Sequence, residues 1–245
     1  MTVDISTMKK IKVALYQKPL GVMVSRPDIM ELQQYSPDFI CFPEYFFVNR
    51  FLGNHKQTPH NQKRQLKLME MVSRKLKTVV IGGTMPEQQG DILYNTTFVF
   101  DNGTCLGFYR KRNLFFAEEG IITPGDTFKI FKSGNTTFGI LICADVFHDE
   151  SFLEMKRLGA EIIFIPTFSL KREEPIEEKF KRDKEIFVRG AELSDAVVIK
   201  VCGVKSEYKN FLQARSLIAD KHDVLYRVNP DEEEKSMIIK KEITI

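Results

Sequence analysis

The chain has 245 residues, 43% of them hydrophobic and 28% charged, and 36 basic against 33 acidic side chains leave a formal net charge of +3. This is the composition of an ordinary soluble globular protein, and interspersed charges with a pI near 8.5 fall short of a nucleic-acid-binding footprint. No apolar run approaches the roughly 18 residues that cross a bilayer, residues 1–10 lack the apolar region of a signal peptide, and four scattered cysteines without a CxxC pair speak against a zinc site and for a reducing cytoplasm.

In chain order, residues 10–16 (KIKVALY) read as a first strand, 28–35 as a short helix and 38–42 (DFICF) as a second strand. Residues 60–77 place Leu66, Met69, Val72 and Leu76 near helical period and predict an amphipathic helix. A buried strand follows at 78–82. Strands at 95–100 and 105–111 are joined across Asp101-Asn102-Gly103, a hairpin signal. Residues 136–143 (TTFGILIC) predict a buried strand, 149–158 a helix, 162–166 (IIFIP) a strand and 175–194 a long charged helix. A strand at 196–201 and a hairpin at 216–220 and 224–228 complete the pattern. The segment 231–245 is read as a C-terminal tail whose apolar, strand-like residues 236–245 need a partner surface, a sheet edge or a neighbouring subunit, and are expected to pack at or near a dimer interface. Helices and strands alternate without repeat or linker, so 1–245 reads as a single α/β domain.

Glu44, Lys111 and Cys143 each stand at or just past the carboxyl end of a predicted strand, where chemistry gathers in open α/β sheets. Singly, such residues are usually a loop carboxylate, a solvated amine and an inert core thiol. Their surroundings change that weighting. Phe42-Pro43-Glu44, Tyr109-Arg110-Lys111-Arg112-Asn113-Leu114-Phe115 and Gly139-Ile140-Leu141-Ile142-Cys143-Ala144-Asp145 occur in that order, with Thr123-Pro124-Gly125-Asp126 between the last two and Gly159-Ala160 before the IIFIP strand. From about Val13 to Val228 the sequence resembles the nitrilase (carbon–nitrogen hydrolase) superfamily. It departs from the family at Asn113, Ala144, Phe147-His148-Asp149 and Arg189-Gly190-Ala191-Glu192-Leu193, and lacks an Asn expected near Lys200, positions that bear on substrate choice rather than on the three reactive residues.

The resemblance implies a four-layer α-β-β-α sandwich, a nitrilase-like fold, paired into a homodimer or higher homo-oligomer. It implies an amidase-type hydrolase that cleaves a non-peptide carbon–nitrogen bond of a small-molecule amide, without metal or organic cofactor. Cys143 is then the nucleophile that forms a thioester, Glu44 the general base, and Lys111 with the backbone N–H of Ala144 the oxyanion stabilisers. Glu119 matches a second active-site glutamate found in some members. Tyr45, Phe46, Phe147 and Thr167 flank the motifs and are expected to line the substrate site. Lys171 and Arg172, in the loop 167–174, are either partners for a substrate carboxylate or simply solvated.

Unperturbed cysteine and glutamate differ by about 4 pKa units, so moving the Cys143 proton to Glu44 is uphill by roughly 6 kcal/mol. Burial of Glu44 and the charge of Lys111 are expected to narrow the gap. The alternatives are a non-catalytic relative that binds through the same cleft, a nitrile or carbamoyl-amine hydrolase with the same triad, and a Cys–His hydrolase using Cys143 with His148. The interspersed charges argue against nucleic acid as a partner, and the absence of apolar spans argues against the membrane-bound acyltransferase branch of the superfamily.

Overall fold

The computed structural model describes residues 8–48, 62–205 and 212–245. Two sheets lie face to face between helices. The first is ordered β13 (Met237–Thr244), β1 (Lys10–Gln17), β2 (Phe39–Cys41), β3 (Val79–Ile81), β5 (Ile92–Asp101) and β4 (Met85–Gln89), with β6 (Thr104–Arg110) also paired to β5. The second runs β12 (Val224–Arg227), β11 (Leu217–Ala219), β10 (Val197–Cys202), β9 (Ile162–Thr167), β8 (Thr136–Ile140) and β7 (Ile130–Ser133). The expected four-layer sandwich is present, as one α/β domain.

Alternation within the strands decides the layers. Val13 and Leu15 of β1 face the second sheet, whereas Ala14 and Tyr16 face the outer helices. In β10, Val197, Ile199 and Val201 likewise point to the first sheet and Val198 points away. Phenylalanines seam the two sheets: the Phe39 ring of β2 lies 5.1 Å from Phe138 and 5.3 Å from Phe164 of the other sheet. Truncating one such ring costs about 3–5 kcal/mol.

Helices α1 (Arg26–Tyr35) and α2 (Gln62–Leu76) cover the first sheet through Ile29, Leu32, Met69 and Val72. A capping box starts α1, with the Ser25 hydroxyl accepting from the Asp28 N–H and the Asp28 carboxylate accepting from the Ser25 N–H. On the second sheet, α3 (Asp149–Leu158) packs against α5 (Arg189–Ser194). The long charged helix predicted over 175–194 is three pieces: α4 (Ile176–Asp183), a π-helical turn at Lys184–Val188, and α5. An inserted residue of this kind shifts helix register and is found disproportionately at functional sites. Strands β4 and β7 had no recognisable sequence signal; β4 contains Pro86 and two glutamines.

Residues 231–245 are not a free tail. Residues 237–244 form β13, antiparallel to β1 across eight residue pairs from Lys10–Thr244 to Gln17–Met237. Ile238, Ile239 and Ile243 are buried by this pairing, which supplies the partner surface their apolar character required.

Candidate active site

Three strand ends converge as expected. Glu44 follows β2, Lys111 follows β6 and Cys143 follows β8, with two residues from the first sheet and one from the second meeting where the sheets face each other. All three line one cavity of about 630 Å³.

The approach of Glu44 depends on backbone fit. A side chain at Gly83 would meet the Pro43 carbonyl at 2.3 Å, so only glycine lets the Phe42-Pro43-Glu44 turn lie on the end of β3. Gly125 plays the same part for Lys111. A Cβ there would meet the Arg110 carbonyl at 2.4 Å, and the Gly125 N–H donates to the Lys111 carbonyl at 2.8 Å.

Lys111 and Glu44 are 99% buried, and their ammonium–carboxylate distance is 2.9 Å. A second carboxylate, Glu118, lies 2.7 Å from the same ammonium. The Asn95 amide donates to both acids at 2.9 Å each, the Tyr45 hydroxyl donates to Glu118 at 2.7 Å, and the Phe168 N–H donates to Glu44 at 2.9 Å. The second glutamate is therefore Glu118, not Glu119. Glu119 is exposed, because the short 3-10 turn Phe116–Glu118 aims Glu118 inward and its neighbour into solvent. Glu118 also accepts from the Phe115 N–H three residues back, at 2.9 Å. No side chain of a capping pattern precedes it, since Phe115 cannot accept a hydrogen bond, so the sequence had no local signal to choose between the two. Asn95 and the Phe168 N–H carried no such signal.

The charges are divided unequally between the two acids. Burial raises the Glu44 pKa, Lys111 and its hydrogen bond oppose this, and Glu118 reinforces it; the net direction is up. Burial also acts on Glu118, but the Lys111 charge and the hydrogen bonds it accepts outweigh burial and hold its pKa down. Burial works against the Lys111 charge, yet Glu44, Cys143 and Glu118 more than compensate and keep it an ammonium. Burial and the adjacent Glu44 push the Cys143 thiol well up, and Lys111 only partly offsets them. Both members of the pair are thus shifted up, and the Cys143 sulfur is held as a thiol beside the Glu44 carboxyl.

Cys143 does not run directly from strand into helix. Its φ is +43°, left-handed for a residue with a side chain, and it opens the 3-10 turn Cys143–Phe147 before α3. Holding such a conformation costs about 1–3 kcal/mol and needs support from its surroundings. Asp145 supplies it. Its carboxylate accepts from the Ile142 N–H at 2.8 Å, the Tyr109 hydroxyl at 2.8 Å and the Asn113 N–H at 2.7 Å. One buried acid thereby ties the lysine motif to the cysteine motif. Asn113 also donates its amide to Asp145 and to Ser151 of α3.

The other expected residues divide. Tyr45 and Thr167 are buried and line the cavity, with the Thr167 hydroxyl donating to the Ile165 carbonyl at 3.1 Å. Phe147 lines the mouth and is 61% exposed. Phe46 does not line the cavity. Tyr45 has φ +56°, and the reversal there turns Phe46 back into the helix-side core against Tyr16 and Phe42. Ala144 is buried in the turn directly after Cys143. Lys171 and Arg172 line the outer cavity, and the Lys171 ammonium lies 2.8 Å from Glu234. His148 is exposed, and neither it nor the other described histidine lines the cavity. His55 and His60 lie outside the described residues. All four cysteines are free thiols, and no group of metal-binding side chains occurs among the described residues.

With a carboxylate, an ammonium and a thiol converging on a cleft at the seam of an α-β-β-α sandwich, the class of protein is defined by fold and site together. The model of the carbon–nitrogen hydrolase family matches residues 28–189, and the chain belongs to that family. Among curated relatives it is 36% identical over 96 residues to a nitrilase of Pyrococcus abyssi, covering 39% of this chain and 36% of that protein. It is 28% identical over 175 residues to an N-carbamoylputrescine amidase of Solanum lycopersicum, covering 68% and 54%. It is also 28% identical over 151 residues to the omega-amidase NIT2 of Xenopus tropicalis, covering 56% and 54%. The chain thus spans about half or less of the length of these relatives. Among solved structures, Nit3 of Saccharomyces cerevisiae superposes with a TM-score of 0.77 at 19% identity, covering 95% of this chain and 89% of that one. A carbon–nitrogen hydrolase of Helicobacter pylori gives 0.78 at 19%, with coverage of 96% and 89%. No helix among the described residues is long and apolar enough to cross a membrane.

Proposed function

We propose that this protein hydrolyses a non-peptide carbon–nitrogen bond of a small amide through a thioester on Cys143. The observation that carries the reading is the buried Glu44–Lys111–Glu118 network beside a cysteine held at positive φ in an open cavity. Glu44 takes the Sγ proton as sulfur attacks the carbonyl carbon. Lys111 and the Ala144 N–H stabilise the oxyanion, one such donor being worth about 3–4 kcal/mol. Glu44 returns the proton to the leaving amine, the carbon–nitrogen bond breaks, and an acyl-thioester remains. Glu44 then deprotonates a water, which attacks the thioester and releases the acid and the thiol.

Glu118 remains ionised as the standing counter-charge to Lys111, which frees Glu44 to gain and lose a proton without leaving a bare buried cation. Amide cleavage is preferred because a relative matched over 56% of this chain is an omega-amidase by name. Nitriles and carbamoyl amines would use the same residues. The test is ammonia release across an amide, nitrile and carbamoyl-amine panel by wild-type protein and Cys143→Ala. Turnover by wild type alone supports the reading, and equal turnover by both contradicts it.

The quaternary proposal is a symmetric homodimer across α3 and the α4–α5 run, where Leu153 and Ile176 are exposed apolar side chains. Sedimentation at micromolar concentration as a monomer would refute it. The four free thiols fit a reducing compartment such as the cytoplasm.

A further inference from the structure

Beyond the triad the cavity extends under the π-helical turn, and its charge there is one-sided. Lys171, Arg172, Arg182, Lys200 and Arg215 line this arm, against the single acid Asp183. Three of the five cations are already answered. Lys171 pairs with Glu234, Arg182 with Glu174, and Arg215 with Asp183 at 2.9 Å. Asp183 is shared further, because Arg227 lies 3.0 Å from it. Arg172 stands in the exposed outer loop.

Lys200 is different. It is 95% buried, yet among the described residues no carboxylate lies within 4.0 Å of its ammonium and no hydrogen-bond acceptor meets it. Its ammonium lies over the face of Phe187, whose ring centre is 5.1 Å away. Lys200 sits on the helix-facing side of β10, next in the sheet to the β9 strand that ends at Thr167 in the cavity. Phe187 comes from the π-helical turn, so the irregularity of that helix and the unanswered cation are parts of one wall. A buried charge without a partner is costly, and a cavity wall is where an external partner can supply it.

We infer that Lys200 is a specificity-determining residue that binds a carboxylate at the far end of the amide substrate. This rests on the hydrolase reading above and names its substrate class: a short carboxylate-bearing amide, held with its anion in the Lys200 arm and its carbonyl at Cys143. A substrate with an amine at that end would meet like charge, so carbamoyl or acyl diamines are disfavoured. Lys171 and Arg172, the candidates named by the sequence, lie exposed at the outer end of this arm.

The test compares three amides of nearly equal length: glutaramate, neutral pentanamide and cationic 5-aminopentanamide. Wild-type kcat/KM should fall in that order, with glutaramate at least tenfold above pentanamide and most of the difference in KM. In Lys200→Met the glutaramate-to-pentanamide ratio should fall at least tenfold, and Lys200→Arg should restore part of it. A structural role for Lys200 would lower all three substrates together and leave the ratio intact, which would overturn the proposal. Calorimetric binding of the same three amides to Cys143→Ala, with and without Lys200→Met, reads the subsite without chemistry. If wild type hydrolyses none of them, the hydrolase reading is decided by the wider panel above, and binding decides the subsite. Preference for glutaramate that disappears with Lys200 supports it, and equal binding of the three refutes it.

Discussion

Lys111 and Lys200 are both almost fully buried and both line the same cavity, yet they are treated in opposite ways. Lys111 has two carboxylates within hydrogen-bonding distance, and an amide and a tyrosine hydroxyl hold those acids in place. Lys200 has an aromatic face and open space. The first arrangement is complete before substrate arrives, as preorganised electrostatic stabilisation requires. The second is unfinished, and what completes it comes from outside. On the proposed reading, one end of the cavity serves the reaction and the other recognition.

The comparison breaks most sharply at the reactive end. Cys143→Ala should abolish turnover with the fold intact, read by ammonia release and circular dichroism. Glu44→Gln and Lys111→Met should each lose several orders of magnitude in kcat. A double variant should lose little more than either alone, because groups that act as a unit are non-additive.

The next effect concerns pH and the division of labour between the two acids. Glu44 works as a base only when ionised, and its pKa is raised. Activity should therefore rise with pH through a point clearly above the ordinary glutamate value of about 4.3. Lys111 and Cys143 are both held up, so no loss should follow through neutral pH. Glu118→Gln removes a charge that raises Glu44, and the acid limb of kcat/KM should move to lower pH. Its kcat should fall roughly tenfold to a hundredfold, the size of a lost charged hydrogen bond. Glu119→Gln, a change on the exposed side, should stay within about threefold of wild type. An unmoved acid limb in Glu118→Gln would contradict the assignment of Glu44 as the titrating base.

Smaller effects mark the boundary of the site. His148→Ala should retain activity, since an exposed imidazole outside the cavity has no route to Cys143. Lys171→Ala should change KM for glutaramate far less than Lys200→Met does. Deleting residues 236–245 removes β13 from the first sheet and should lower thermal stability, whatever the subunit number.

How much of this was legible beforehand follows from where the information lies. Glu44, Lys111 and Cys143 stand beside turns whose glycines and prolines are written in the sequence, so strand ends could be placed and the residues assembled. The layer pattern was legible in the strands for the same reason, since burial on both faces leaves long apolar runs. Glu119 was misplaced by one residue, and Phe46 was given a cavity place beside Tyr45 that it does not have, because a 3-10 turn at 116–118 and a positive φ at Tyr45 reverse direction within a single step. Asn95 and Asp145 act through partners 23 to 51 residues away, a distance no local pattern spans. Lys200 was masked by its strand. Only the cavity beside it distinguishes it from a lysine that reaches solvent.

The central claim is that Cys143 carries the acyl group, and intact-mass measurement of acid-quenched protein after mixing with glutaramate or pentanamide tests it most directly. The predicted result is a transient mass increase equal to the acyl group, mapped to the peptide containing Cys143 and absent from Cys143→Ala. An acyl adduct on any other residue, or turnover that persists in Cys143→Ala, would contradict it.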